Sequence, residues 1–101
     1  MKKTVDLMKG EAYALYNCLL EISGRNKKEN FLNYDLSYKL LDIKKTLQTT
    51  MEALEESKIT MQELFADKTT AEYSLPTFNE EELRKFISGP DELEIFEKLV
   101  G

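Results

Sequence analysis

The chain contains no histidine and no tryptophan, one cysteine, two prolines and four glycines. Each shortage removes a class of chemistry. Without histidine there is no imidazole acid/base, no Cys–His nucleophile pair and no zinc site with an imidazole ligand. The lone Cys18 rules out an internal disulfide and suits a reducing compartment. So few glycines leave no room for a glycine-rich phosphate loop. No apolar run approaches the roughly 20 residues that a membrane span needs. The opening MKKTVDLMKGEAY has Lys2 and Lys3 but no apolar stretch behind them, so it does not read as a signal peptide. The expectation is a cytoplasmic protein.

What is present suits one helix-rich domain spanning residues 1–101. Its apolar share of 42% and charged share of 33% are those of a packed chain rather than a disordered one. The formal net charge of −5 is unevenly placed. Residues 1–71 hold eleven acidic and eleven basic groups, whereas residues 72–101 hold eight acidic and three basic ones. An acidic final third repels phosphate and argues against direct nucleic-acid binding.

Thr4-Val5-Asp6-Leu7-Met8 reads as a short strand, broken by Lys9-Gly10. From Glu11 to Ser23, the residues Ala14, Leu15, Cys18, Leu19 and Ile22 fall on one helical face. Gly24 would then cap the helix, and the polar GRNKKEN would be a loop, with Arg25, Lys27 and Lys28 solvated. The stretch NYDLSYKLLDIKKTLQTTMEALEESKITMQELF, residues 33–65, has no glycine or proline. Its apolar groups Leu36, Leu40, Ile43, Leu47, Met51, Leu54, Met61 and Phe65 recur at helical spacing, with Asn33 as N-cap. EYSLPTF reads as extended, and Pro76 places it at an edge or connector. Thr77 and Glu80 have capping-box spacing before a short helix that Gly89-Pro90 stops. The tail DELEIFEKLV is open between two states. Leu93, Phe96 and Val100 fit a helix, while Leu93, Ile95 and the Ile-Phe pair fit a strand.

A helix over 33–65 would be about 50 Å long, whereas the first helix would span only ~20 Å. The uncovered part of the apolar stripe needs a cover, since exposed apolar surface costs about 25 cal/mol per Å². The C-terminal segments, a second copy or a foreign partner could supply it.

No catalytic, cofactor or metal motif stands out. Cys18 lies on an apolar helix face and reads as a core residue. Glu80, Glu81 and Glu82 are adjacent, so they point different ways, and the helix dipole favours acids in a first turn. Tyrosines are enriched at binding surfaces, though packing at a helix edge explains them equally well. The candidate contact residues are therefore Tyr34 and Tyr38 at the start of the long helix, with the carboxylates Glu80, Glu81, Glu82, Asp91, Glu92, Glu94 and Glu97.

The order of parts, TVDLMKGEAYALYNCL, then FLNYDLSYKLLDIKKTLQTTMEALEESKITMQELF, then FNEEELRKFISG, then DELEIFEKLV, resembles a family of small proteins of unknown function encoded by phages and prophages of Gram-positive bacteria. The resemblance implies a predominantly helical α+β fold, with the tail returning as a strand to pair with TVDLM, and activity in the infected cell. It carries no active site. The expected function is then non-enzymatic binding of a phage or host-defence protein, as a virion assembly factor or an inhibitor of anti-CRISPR or anti-restriction type. The alternative is a structural homo-oligomer associating through the long helix.

Overall fold

The computed structural model describes residues 2–101. Its elements are β1 (Lys2–Met8), α1 (Lys9–Glu29), α2 (Tyr34–Ser57), α3 (Met61–Ala66), β2 (Thr70–Pro76), α4 (Glu80–Phe86) and α5 (Pro90–Phe96), with a closing 3₁₀ turn at Glu97–Leu99. The architecture is mixed α+β and predominantly helical.

β1 and β2 form a two-stranded antiparallel sheet in which Val5 faces Tyr73 and Leu7 faces Ala71. Alternation sends Val5, Leu7 and Leu75 inward, while Thr4, Asp6, Glu72 and Ser74 stay exposed. Both strands are edges, and Pro76 terminates β2 where a missing N–H costs nothing. Helices cover the inner face. Thr50 of α2 shares a 2.9 Å hydrogen bond with the Tyr73 hydroxyl, and α1 lies beside α2 with Ala12, Leu15, Cys18, Leu19 and Ile22 buried.

The helix boundaries correct the sequence reading in two places. First, α1 does not stop at Gly24; it runs on to Glu29, about a turn and a half further, and ends with Asn30 in the left-handed conformation, φ 50°. An interior glycine costs about 1 kcal/mol relative to alanine. Tertiary contacts made by the extra turns offset that. Arg25 bonds to Glu92, the Asn26 side chain accepts from the Leu32 N–H at 2.8 Å, and Lys27 and Lys28 suit the negative helix end. The segment expected to be a solvated basic loop is thus the last third of a helix.

Second, the stretch 33–65 is not one helix. α2 ends at Ser57, Lys58 turns left-handed (φ 54°) and Thr60 caps α3. The Thr60 hydroxyl accepts from the Glu63 N–H at 3.2 Å, and Thr60-x-x-Glu63 has capping-box spacing. The stripe divides accordingly. Leu36, Leu40, Ile43 and Leu47 are buried, whereas Met61 and Phe65 are half exposed. α3 folds back on α1, where the Phe65 ring lies over Gly10. A β-carbon on Gly10 would come within 2.6 Å of that ring, so any larger residue there would have to push the half-exposed ring aside.

The tail takes the helical one of its two open states, not the strand that the resemblance implied. Residues 90–96 are helical, started by Pro90 in the first turn, and the tail does not pair with β1. Among the described residues its single ladder contact is a parallel bridge from Val100 to Phe78, just beyond β2. The Phe78 N–H donates to the Leu99 carbonyl at 2.8 Å. The capping box of α4 also sits two residues later than the sequence spacing indicated, between Asn79 and Glu82.

Three phenylalanines knit the C-terminal part together. Phe78, Phe86 and Phe96 meet edge to face with centroids 5.4, 5.9 and 5.1 Å apart, and they join one core cluster with Val5, Leu15, Ile22, Leu36 and Leu47. Replacing the fully buried Phe96 by alanine should lower unfolding free energy by about 3–5 kcal/mol. Urea denaturation checks this. A loss below about 1 kcal/mol would mean that the phenylalanine cluster is not part of the cooperative core.

Candidate partner-binding surface

Tyr34 and Tyr38 occupy the first turns of α2, which the Asn33 side chain caps by accepting from the Leu36 N–H at 2.9 Å. Four residues apart, they stand on one face of the helix. Their rings lie 5.4 Å apart at 47°, and they are 76% and 61% exposed. Leu41, 44% exposed, continues the same line. It separates two shallow recesses. One, of about 330 Å³, is lined by Tyr38, Lys39, Leu41, Asp42, Lys45 and Pro76. The other, of about 250 Å³, runs along Leu19, Ser23, Asn26, Leu32 and Leu40.

Leu41 was not among the residues singled out from sequence. Its signal was nevertheless present. In Lys39-Leu40-Leu41-Asp42 the 36–40–43–47 stripe takes Leu40, so its neighbour must point elsewhere. A half-exposed leucine beside two exposed tyrosines forms a patch that sequence spacing alone did not assemble.

The seven candidate carboxylates divide into those the fold uses and those it leaves to solvent. Glu92 is buried. It receives Arg25 in a two-pronged pair, Nη1 to Oε2 at 2.7 Å and Nη2 to Oε1 at 3.0 Å. The Ser88 N–H adds a third bond at 2.9 Å, and Arg25 also reaches the Phe86 carbonyl at 2.7 Å. Glu92 therefore ties α1 to α5 and the α4 end, and it cannot also meet a partner. The Arg25 guanidinium holds its carboxyl below the usual range against the opposing effect of burial.

Glu82 is likewise engaged. Lys39 bonds to it at 2.9 Å while also donating to the Thr77 carbonyl at 2.8 Å, and the same ammonium lies 5.1 Å from the Phe78 ring. Burial pushes Glu82 upward, but Lys39 and the Asn79 N–H outweigh it and its pKa is lowered. Glu80 lies 3.8 Å from Arg84 with both side chains largely exposed, a pair worth little. Glu81, Asp91, Glu94 and Glu97 are exposed and make no side-chain pair among the described residues. Glu94 and Glu97 flank a groove of about 570 Å³ floored by Leu7, Ala14, Leu15 and Ile95. The Lys98 ammonium there is held by Glu11 at 2.9 Å.

Cys18 is buried in α1, and burial pushes its thiol up to about 12, so it is protonated at neutral pH. Among the described residues, no group of three or more Cys, Asp or Glu side chains is placed to hold a metal ion, and no helix is long and apolar enough to cross a membrane. No protein-family model, no curated protein and no solved structure matches this chain.

The Arg25–Glu92 pair sets a pH signature. Because the folded pKa of Glu92 is lowered, its contribution is complete above the unfolded carboxylate value of about 4.3. It is lost as pH falls through the lower folded value. Glu92→Gln should cost about 2 kcal/mol at neutral pH, since it breaks a largely buried charged bond network. The difference from the parent chain should shrink in strongly acidic buffer, where both states carry the protonated acid. Urea unfolding of both chains across pH measures it, and a pH-independent gap would contradict the assignment.

Proposed function

We propose that this chain is a non-enzymatic, phage-type protein that acts in the bacterial cytosol by binding another protein. The observation that carries the reading is the line Tyr34, Tyr38 and Leu41. Three large side chains at successive helical turns stand in water. Aromatic groups on a rigid helix supply contact area with little side-chain entropy to lose, which is why such residues anchor interfaces. The resemblance in order of parts supports the phage assignment. It leaves two versions, a virion assembly factor and an inhibitor of a host defence protein. The unpaired carboxylates Glu81, Asp91, Glu94 and Glu97 support the second, because they suit a basic partner such as a nuclease groove.

A second reading, a structural homo-oligomer formed through the long helix, draws on the half-exposed Met61 and Phe65 beside the end of α2.

The test uses the tagged full chain and its Tyr34→Ser/Tyr38→Ser variant as parallel baits in bacterial lysate, with and without phage infection. Both side chains are exposed, so the variant should unfold at an unchanged urea midpoint. A partner captured in stoichiometric amount by the parent and at least tenfold weaker by the variant supports the reading. Equal capture by both baits, or recovery of the bait alone, refutes it. A basic defence protein whose binding weakens with salt points to the inhibitor version, and a virion protein to assembly.

A further inference from the structure

The turn between α2 and α3 is the point where local and global preference disagree. Lys58 adopts φ 54°, ψ 34°, a conformation that a β-carbon disfavours and that glycine or asparagine usually fills. The chain on either side favours helix, since residues 34–66 contain no glycine or proline. The turn is held by the Thr60 cap, by Phe65 against Gly10 and by Lys9 paired to Asp67 at 3.0 Å. Everything that follows it packs back on what precedes it: β2 on β1 and α2, α5 on α1, and α3 on α1.

We propose that this chain forms a domain-exchanged dimer, in which Lys58–Thr60 straighten into helix and residues 61–101 of each copy pack on residues 2–57 of the other. The pairing of β1 with β2, the Arg25–Glu92 pair and the Lys39–Glu82 pair all re-form between chains with the same partners. The dimer therefore keeps the monomer's contacts outside the turn and gives up the Thr60 cap. It also sheds the left-handed lysine and gains helical hydrogen bonds across the old turn. Opposing it is the lost freedom of association, which rising concentration offsets. The straightened helices of the two copies cross near residue 59, where the segment 55–63 carries Glu55, Glu56 and Glu63 against the single Lys58, so like charge opposes the crossing. Salt screens that repulsion and favours the dimer. The exchange is independent of partner binding by Tyr34 and Tyr38, so either can fail without the other.

The test unfolds the full chain in denaturant and refolds it at micromolar and near-millimolar concentration, at low and high salt. Mass is read by light scattering after size separation. A Thr4→Cys/Ser74→Cys version reports connectivity, because these exposed residues face each other across the sheet. Oxidation links one chain to itself in a monomer or a conventional dimer, and two chains in the exchanged dimer. The expected result is a dimer at high concentration, more of it at high salt, that runs at twice the chain mass on a denaturing, non-reducing gel. Lys58→Gly should weaken it by roughly tenfold or more, because glycine relaxes the turn and disfavours the helix. Deleting Ile59 and Thr60 should make it the only form. A parent chain that stays monomeric near millimolar after refolding, or a dimer whose crosslinks are all within one chain, overturns the proposal. Should the shortened chain not fold, refolding of the parent with the cysteine pair decides by itself.

Discussion

The strand that opens the chain has one partner in the sheet, and that partner lies beyond three helices: Met8 of β1 is opposite Thr70 of β2. Everything between must leave the sheet, bury its apolar faces and come back in register. A helix of 33 residues would carry the chain about 50 Å away, whereas the longest extent of the Cα trace is 36 Å. For a single chain to close on itself, the reversal at Lys58–Thr60 is therefore a geometric requirement. The left-handed lysine costs about 1–2 kcal/mol. A paired sheet, a buried Leu64 and the Phe65–Gly10 contact lie on the other side of that balance. In the monomer, local helix preference yields because one chain cannot otherwise close its sheet and core.

The second organising contact is the Arg25–Glu92 pair. α5 is too short to be stable alone; helices under about 12 residues are marginal in water. It is placed by Phe96 in the aromatic cluster and by Glu92 on Arg25. That pair in turn gives the end of α1 a reason to continue past Gly24. One charged contact thus fixes two features, the length of the first helix and the helical state of the tail. The C-terminal tail still approaches β1, but through side chains: Lys3 donates to the Val100 carbonyl and Lys98 to the Asp6 carbonyl, at 3.0 and 3.1 Å.

Short-range pattern explains what could be read from sequence. The alternation of Val5 and Leu7, the stripe Leu36–Leu47, the Asn33 cap, the extended piece around Pro76 and the stop at Gly89-Pro90 depend on neighbours a few residues away. The fold class follows from them. The missed features depend on residues far apart in the chain. Gly24 reads as a stop until Glu92, 67 positions beyond Arg25, supplies that arginine with a partner. The break at Lys58 does leave local marks, the start signal Thr60-x-x-Glu63 and the seven-residue gap between Leu54 and Met61, which the reading of one continuous helix passed over. For the candidate surface, Tyr34 and Tyr38 are exposed as a contact pair requires. Glu82 and Glu92 were indistinguishable in sequence from the free carboxylates around them.

That last division changes what the acidic C-terminal third is able to do. A carboxylate that already receives a guanidinium and an N–H has its lone pairs directed inward, and pulling it out would break α5 from α1 before it reached a partner. Glu92, and to a lesser degree Glu82, therefore belong to the stability of the fold. The charge available to a partner is that of Glu81, Asp91, Glu94 and Glu97, together with the weakly held Glu80. These groups are solvated and screened, so they act over a Debye length of about 8–10 Å rather than through buried bonds. Such charges steer an approaching basic surface and set how fast it arrives. In the proposed binding role, affinity would come from desolvated contact area, for which the exposed tyrosine pair and Leu41 on the opening turns of α2 are the candidates.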